Sequence, residues 1–118
     1  MPGTLEERFH AAMVNLYYAC AVRLKPPYYA SRFLESVLAS GGRQVAEHLL
    51  DAAAPSTGFA ELRMRGVDAL QLSVEYLVLQ EPWCQLFSEE QRATAHARLA
   101  QADAEAPAPM AAMDERPP

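Results

Sequence analysis

Five side chains in this chain, His10, His48, His96, Cys20 and Cys84, have the chemistry to hold a soft metal or to serve as nucleophile and base. No two of them stand at C-x-x-C or H-x-x-x-H spacing, so a site built from them would have to be assembled by the fold alone. They read first as structural or surface groups, with Cys20 and Cys84 as small apolar core residues, and no metal or cofactor is expected. Cys84 and His96 are available as a nucleophile and base pair, one before and one within the last helix. Glu75, set inside the apolar run LSVEYLVL, is the carboxylate most exposed to desolvation and to a raised pKa. The structural reading is preferred: it caps a helix start or pairs with an arginine such as Arg32 or Arg63. No catalytic residue is assigned. The chain has no G-x-x-x-x-G-K-[ST], no G-x-G-x-x-G and no G-x-S-x-G, which weakens nucleotide-binding and hydrolase readings.

Two further constellations point to binding. Tyr17-Tyr18 and Tyr28-Tyr29 bracket the end of the first helix, with Arg23, Lys25 and Arg32 among and beside them. Aromatics mixed with cations stack bases or anchor a protein partner, and Tyr18, Arg23, Tyr28, Tyr29 and Arg32 are the candidate partner-binding set. The stretch Gly42 to Gly66 has the outline of a helix-turn-helix, in which Arg43, Ser56, Thr57, Arg63 and Arg65 would meet DNA. Its connection from Asp51 to Pro55 is longer than the compact turn of that motif, and Phe59 and Leu62 look like core anchors. Shared exposure of Arg43, Arg63 and Arg65 on one face is the condition for the DNA reading.

The elements that must position these groups are helical. Thr4 with Glu7 makes a capping box, and Leu5, Phe9, Ala12, Met13, Leu16, Cys20 and Leu24 follow at three- and four-residue spacing up to Pro26-Pro27. A second helix from about Tyr29 carries Phe33, Leu34, Val37 and Leu38 and stops at Gly41-Gly42. A third spans about Arg43 to Ala53, and a short fourth spans Phe59 to Arg65. Asp68 to Gln80 alternates as a strand would, yet with no second strand to pair it is read as a central helix covered on nearly all sides. Ser73 is its candidate N-cap, placing Glu75 in the first turn. Pro82 ends it, Trp83, Leu86 and Phe87 form an apolar connector, and Ser88 with Gln91 caps a last helix that turns Ala95, Leu99 and Ala102 inward.

The expectation is an all-α fold: one compact domain of five or six helices over residues 1–104, orthogonal or bundle-like, with no reactive cleft. A disordered Pro/Ala-rich tail follows over 105–118, where four of the nine prolines lie. The net charge of −5 is uneven: residues 1–66 hold seven basic and six acidic side chains, residues 67–118 three and nine. Such an acidic chain lacks the general attraction that drives nonspecific nucleic-acid binding. Two cysteines in apolar surroundings, a polar N-terminus and apolar runs far shorter than the ~20 residues of a bilayer span point to a cytoplasmic protein with reduced thiols and no membrane partner.

The segments Asn15-Leu16-Tyr17, Arg32-Phe33-Leu34, Gly41-Gly42, Ala46 to Leu50, Pro55-Ser56-x-Gly58-Phe59 and above all LSVEYLVLQEPWCQLFSEEQ carry a resemblance. Over about Leu5 to Leu99 the chain resembles a family of small, uncharacterised bacterial all-helical proteins. The resemblance implies a compact helical fold encoded by an accessory gene of mobile or variable loci, and it transfers no activity and no catalytic residues. The expected role is therefore a non-enzymatic interaction or adaptor protein, bound to another protein. The alternatives are a DNA-binding regulator and an anti-defence inhibitor whose acidic half, with Glu81, Glu89 and Glu90, fills a basic groove.

Overall fold

The first helix, α1 (Leu5–Arg23), starts where the sequence says it should. Thr4 Oγ1 accepts the Glu7 N–H at 3.0 Å, and Glu7 Oε1 accepts the Thr4 N–H at 2.9 Å, so two amides that a helix start leaves unpaired are satisfied. The structure, a computed structural model, describes residues 3–105. It comprises α1, α2 (Ser31–Ser40), α3 (Gly42–Asp51), α4 (Thr57–Met64), a 3₁₀ helix (Val67–Leu72), α5 (Val74–Val78), a second 3₁₀ helix (Trp83–Leu86) and α6 (Glu89–Glu105). There is no strand among the described residues, and the fold is all-α. Of the tail expected over 105–118, Glu105 ends α6 and residues 106–118 lie outside the described residues.

A single residue, Gly41, joins α2 to α3, and its φ of 96° is one that side-chain-bearing residues rarely adopt. Gly42, expected to share in the cap, instead opens α3, and space rather than torsion requires it. A Cβ there would lie 2.8 Å from the backbone Cα of His10 on α1. His10 Nδ1 in turn accepts the Gly42 N–H at 2.9 Å, so the histidine expected to be a structural group fastens the start of α3 to α1. Gly42→Ala should therefore lower stability by about 1–3 kcal/mol through overpacking, because the clash with backbone outweighs the gain of up to about 1 kcal/mol in helix propensity. A lowered urea midpoint at unchanged slope is the expected reading.

The largest departure from the sequence expectation is Asp68 to Gln80, which is not one rod. Ser73 breaks it: the backbone there is extended (ψ 158°), Oγ donates to the Leu70 carbonyl at 2.7 Å and accepts the Tyr76 N–H at 3.1 Å. That hydroxyl closes the 3₁₀ helix and opens α5, as the expected N-cap. The bend gives each half its own core. Leu70 and Leu72 join Cys20, Phe59, Leu62, Ala69 and Ala102 in one cluster. Val74 and Val78 join the larger one, built round Phe9, Met13, Val37, Ala46, Leu50 and Phe87. A straight helix would have one axis and could not serve both.

The last helix opens with the second capping box: Ser88 Oγ accepts the Gln91 N–H and Gln91 Oε1 accepts the Ser88 N–H, each at 3.0 Å. Ala95 and Ala102 are buried as expected, while Leu99 is half-buried. Arg98, on the same inward stripe, is buried too.

Candidate functional site

Where the two core clusters meet, packing is incomplete. Leu16 and Cys20 of α1, Phe33 of α2, Val45 and Leu49 of α3 and Phe59 and Leu62 of α4 surround a cleft of about 670 Å³. Volumes of this order are those of ligand pockets, so the body expected to hold no reactive cleft does contain a cleft. The reason is geometric: α4 packs on the 3₁₀ helix Val67–Leu72 and not closely on α3, and the five residues 52–56 span the gap between them. Buried Ser73, Val74 and Glu75 form the floor. Exposed Tyr29, Arg32, Gln44, His48 and Thr57 stand at the mouth.

Glu75 is 2% exposed and pairs with neither Arg32 nor Arg63, the partners suggested by the sequence. Its Oε2 lies 3.2 Å from Nη1 of Arg98 on α6, a residue the sequence reading passed over. The same guanidinium donates to the Leu49 carbonyl at 2.9 Å and to the Ala52 carbonyl at 2.7 Å, satisfying acceptors at the C-terminal end of α3. Burial pushes the Glu75 carboxyl above its ordinary range, against the pull of its own backbone N–H and of Arg98. The only advance sign was that Arg98 falls three residues after Ala95 on the inward stripe, where a cation needs a buried partner.

Of the candidate partner-binding residues, the fold brings Tyr28, Tyr29 and Arg32 together on the cleft. Tyr18 lies on the outer side of α1, 54% exposed, and its ring meets Tyr17 edge-on at 5.0 Å. Tyr17 lines the cleft, so aromatic surface runs from the interior onto the outside of the molecule. Arg23 is exposed at the end of α1. Tyr28 is half-buried under Arg65, whose guanidinium carbon stands 5.9 Å from the ring centroid. Burial, and then the Glu61 charge, push the Tyr28 hydroxyl pKa up. Tyr17, Phe59, Leu62 and the Glu75 floor are among the cleft residues that sequence reasoning did not assign to a site.

The residues of the DNA reading are dispersed. Arg43 bonds Glu6 at 3.1 Å at the start of α1, whereas Arg65 donates to the Pro26 carbonyl at 2.6 Å beyond its end. The 19 residues of α1 rise about 28 Å, so these two cations lie at opposite ends of the longest helix among the described residues. Arg65 is also held by Glu61 at 2.8 Å. Ser56 Oγ is spent as the N-cap of α4, accepting the Phe59 N–H at 3.1 Å, and Thr57 lies at the cleft mouth. Arg63 is exposed on α4. The condition of one shared exposed face is not met by Arg43 and Arg65.

The soft groups are scattered likewise. Cys20 is buried against the Leu72 carbonyl, and burial raises its thiol pKa although Arg65 and Arg23 pull it down. Cys84 donates to Glu81 Oε2 at 3.2 Å, and that acceptor holds the thiol proton on. Neither thiol is activated as a nucleophile at neutral pH. His48 stands at the cleft mouth and His96 on the exposed side of α6. Among the described residues no three His, Cys, Asp or Glu side chains gather as metal ligands, and no helix is long and apolar enough to cross a membrane. Glu81, Glu89 and Glu90 are exposed around the start of α6. No family model, curated protein or solved structure matches this chain.

Proposed function

We propose that the chain is a non-enzymatic interaction protein that receives a segment of another protein in the cleft bounded by α1, α2, α3 and α4. The observation that carries this reading is the continuity of aromatic surface from cleft to exterior. Tyr29 at the mouth is 61% exposed, and Tyr17 carries the lining across to exposed Tyr18. A small ligand seated in the cleft would leave Tyr18 uncovered, whereas a protein segment covers both cleft and rim. Arg32 at the mouth adds the cation commonly found with aromatic anchors at interfaces. An accessory role in a bacterial locus follows from the resemblance alone.

The test is affinity capture with three forms of the chain, followed by mass spectrometry of the co-purified proteins. Tyr29→Glu with Arg32→Glu alters two exposed residues at the mouth, so the fold should persist while the specific partner is lost by tenfold or more in recovery. Glu81→Gln, Glu89→Gln and Glu90→Gln together should leave it bound. The reverse pattern would move recognition to the acidic face and support the inhibitor reading; equal recovery by all three forms rejects both.

A further inference from the structure

The geometry points to a tyrosine or tryptophan side chain of the partner as the group that enters deepest, donating its O–H or N–H to the Glu75 carboxylate, on the reading above that the cleft is the recognition site. The floor offers an acceptor. Glu75 lines the cleft and is 2% exposed, and Arg98 engages it through Oε2. A carboxylate has about four lone-pair sites, so capacity remains after that bond and the one from its own backbone N–H. The Ser73 hydroxyl beside it is already donating to Leu70 and accepting from Tyr76.

Charge selects the class of occupant. An anion brought to the floor would meet the Glu75 carboxylate in a poorly solvated place, and a full cation would meet Arg98, which stands 3.2 Å behind that acid. A neutral donor meets neither penalty. Its body must be apolar, because Leu16, Phe33, Phe59 and Leu62 form the walls. Tyrosine and tryptophan are the side chains that combine a large apolar ring with one neutral donor at its edge. At about 670 Å³ the cleft is larger than one such ring, so residues flanking the anchor fill its outer part beneath Tyr29 and Arg32.

Indole and benzothiophene isolate this bond, since they share a bicyclic shape and only indole carries a donor. Titrated into the full chain and followed by amide NMR, indole should perturb Cys20, Ser73 and Glu75 and bind about tenfold more tightly than benzothiophene. Glu75→Leu with Arg98→Met removes the acceptor without stranding a charge, and there the two probes should bind alike. Glu75→Gln retains an acceptor and should retain the preference. Equal binding in the wild-type chain, with both probes perturbing the floor, overturns the donor assignment and leaves the cleft as a binding site. A preference that survives the double substitution also overturns it. If neither probe perturbs the cleft at millimolar concentration, the assignment and the cleft reading fall together. Should the double variant not fold, the wild-type comparison decides alone.

Discussion

Arg98→Ala should cost about 3–5 kcal/mol of unfolding free energy, the largest loss expected from any charged residue in the chain. The substitution strands a buried carboxylate on α5 and releases two carbonyls at the end of α3, because one guanidinium serves Glu75, Leu49 and Ala52. The exposed pair Arg43–Glu6 should lose no more than about 1 kcal/mol on truncation of the arginine, since water screens it and replaces the partner. The pH dependence identifies the cause. Burial already raises the Glu75 pKa, and removing Arg98 raises it further. The folded variant then keeps a proton that the unfolded chain gives up above about pH 4.5, so its stability falls as pH rises through the window between those two values. Urea unfolding should show a smaller deficit at pH 4.5 than at pH 7. An equal deficit at both would mean that the stranded acid is not what destabilises the variant. Arg98→Met combined with Glu75→Leu should recover most of the loss, because an apolar pair of similar volume leaves no unpaired charge.

Phe9→Ala should cost a similar amount, about 3–5 kcal/mol, by a different route. Phe9 is fully buried on α1 and meets Trp83 edge-on at 5.7 Å and Phe87 edge-on at 5.3 Å. Those rings belong to and follow the second 3₁₀ helix, so one side chain joins the first helix of the chain to the connector that precedes the last. Removing it opens a cavity the size of one ring beside Trp83 and Phe87 and removes two edge contacts worth about 0.5–1.5 kcal/mol each beyond their area. Trp83 is the single tryptophan, and its fluorescence reports the same site. A red-shifted emission should accompany the lowered unfolding midpoint. Phe9→Leu keeps most of the volume and should lose clearly less. A loss below about 1 kcal/mol for the alanine would show that the surrounding rings close the space.

The legible parts of this fold are those decided within one turn of chain. The Thr4/Glu7 and Ser88/Gln91 boxes, the Ser73 cap and the halt at Gly41 join residues at most four positions apart, and each stands where its residue types demand. The helical class follows from the same kind of information, repeated along the chain. Asp68 to Gln80 marks the edge of that legibility. Its apolar positions and its cap were visible, but whether the chain bends at Ser73 depends on two core clusters that must both be filled. Beyond that edge lie the cleft and its floor. Glu75 could be singled out as a carboxylate in an apolar run, yet its partner stands 23 residues away, and residue type alone pointed to Arg32 or Arg63 and passed over Arg98. The clasp of Arg98 on Glu75, the gathering of Tyr28, Tyr29 and Arg32, and the parting of Arg43 from Arg65 were settled only by how the helices lie across one another. Local hydrogen bonds choose elements because their partners are always within reach; a cleft exists only once distant elements have been placed, and no short stretch of residues contains that placement.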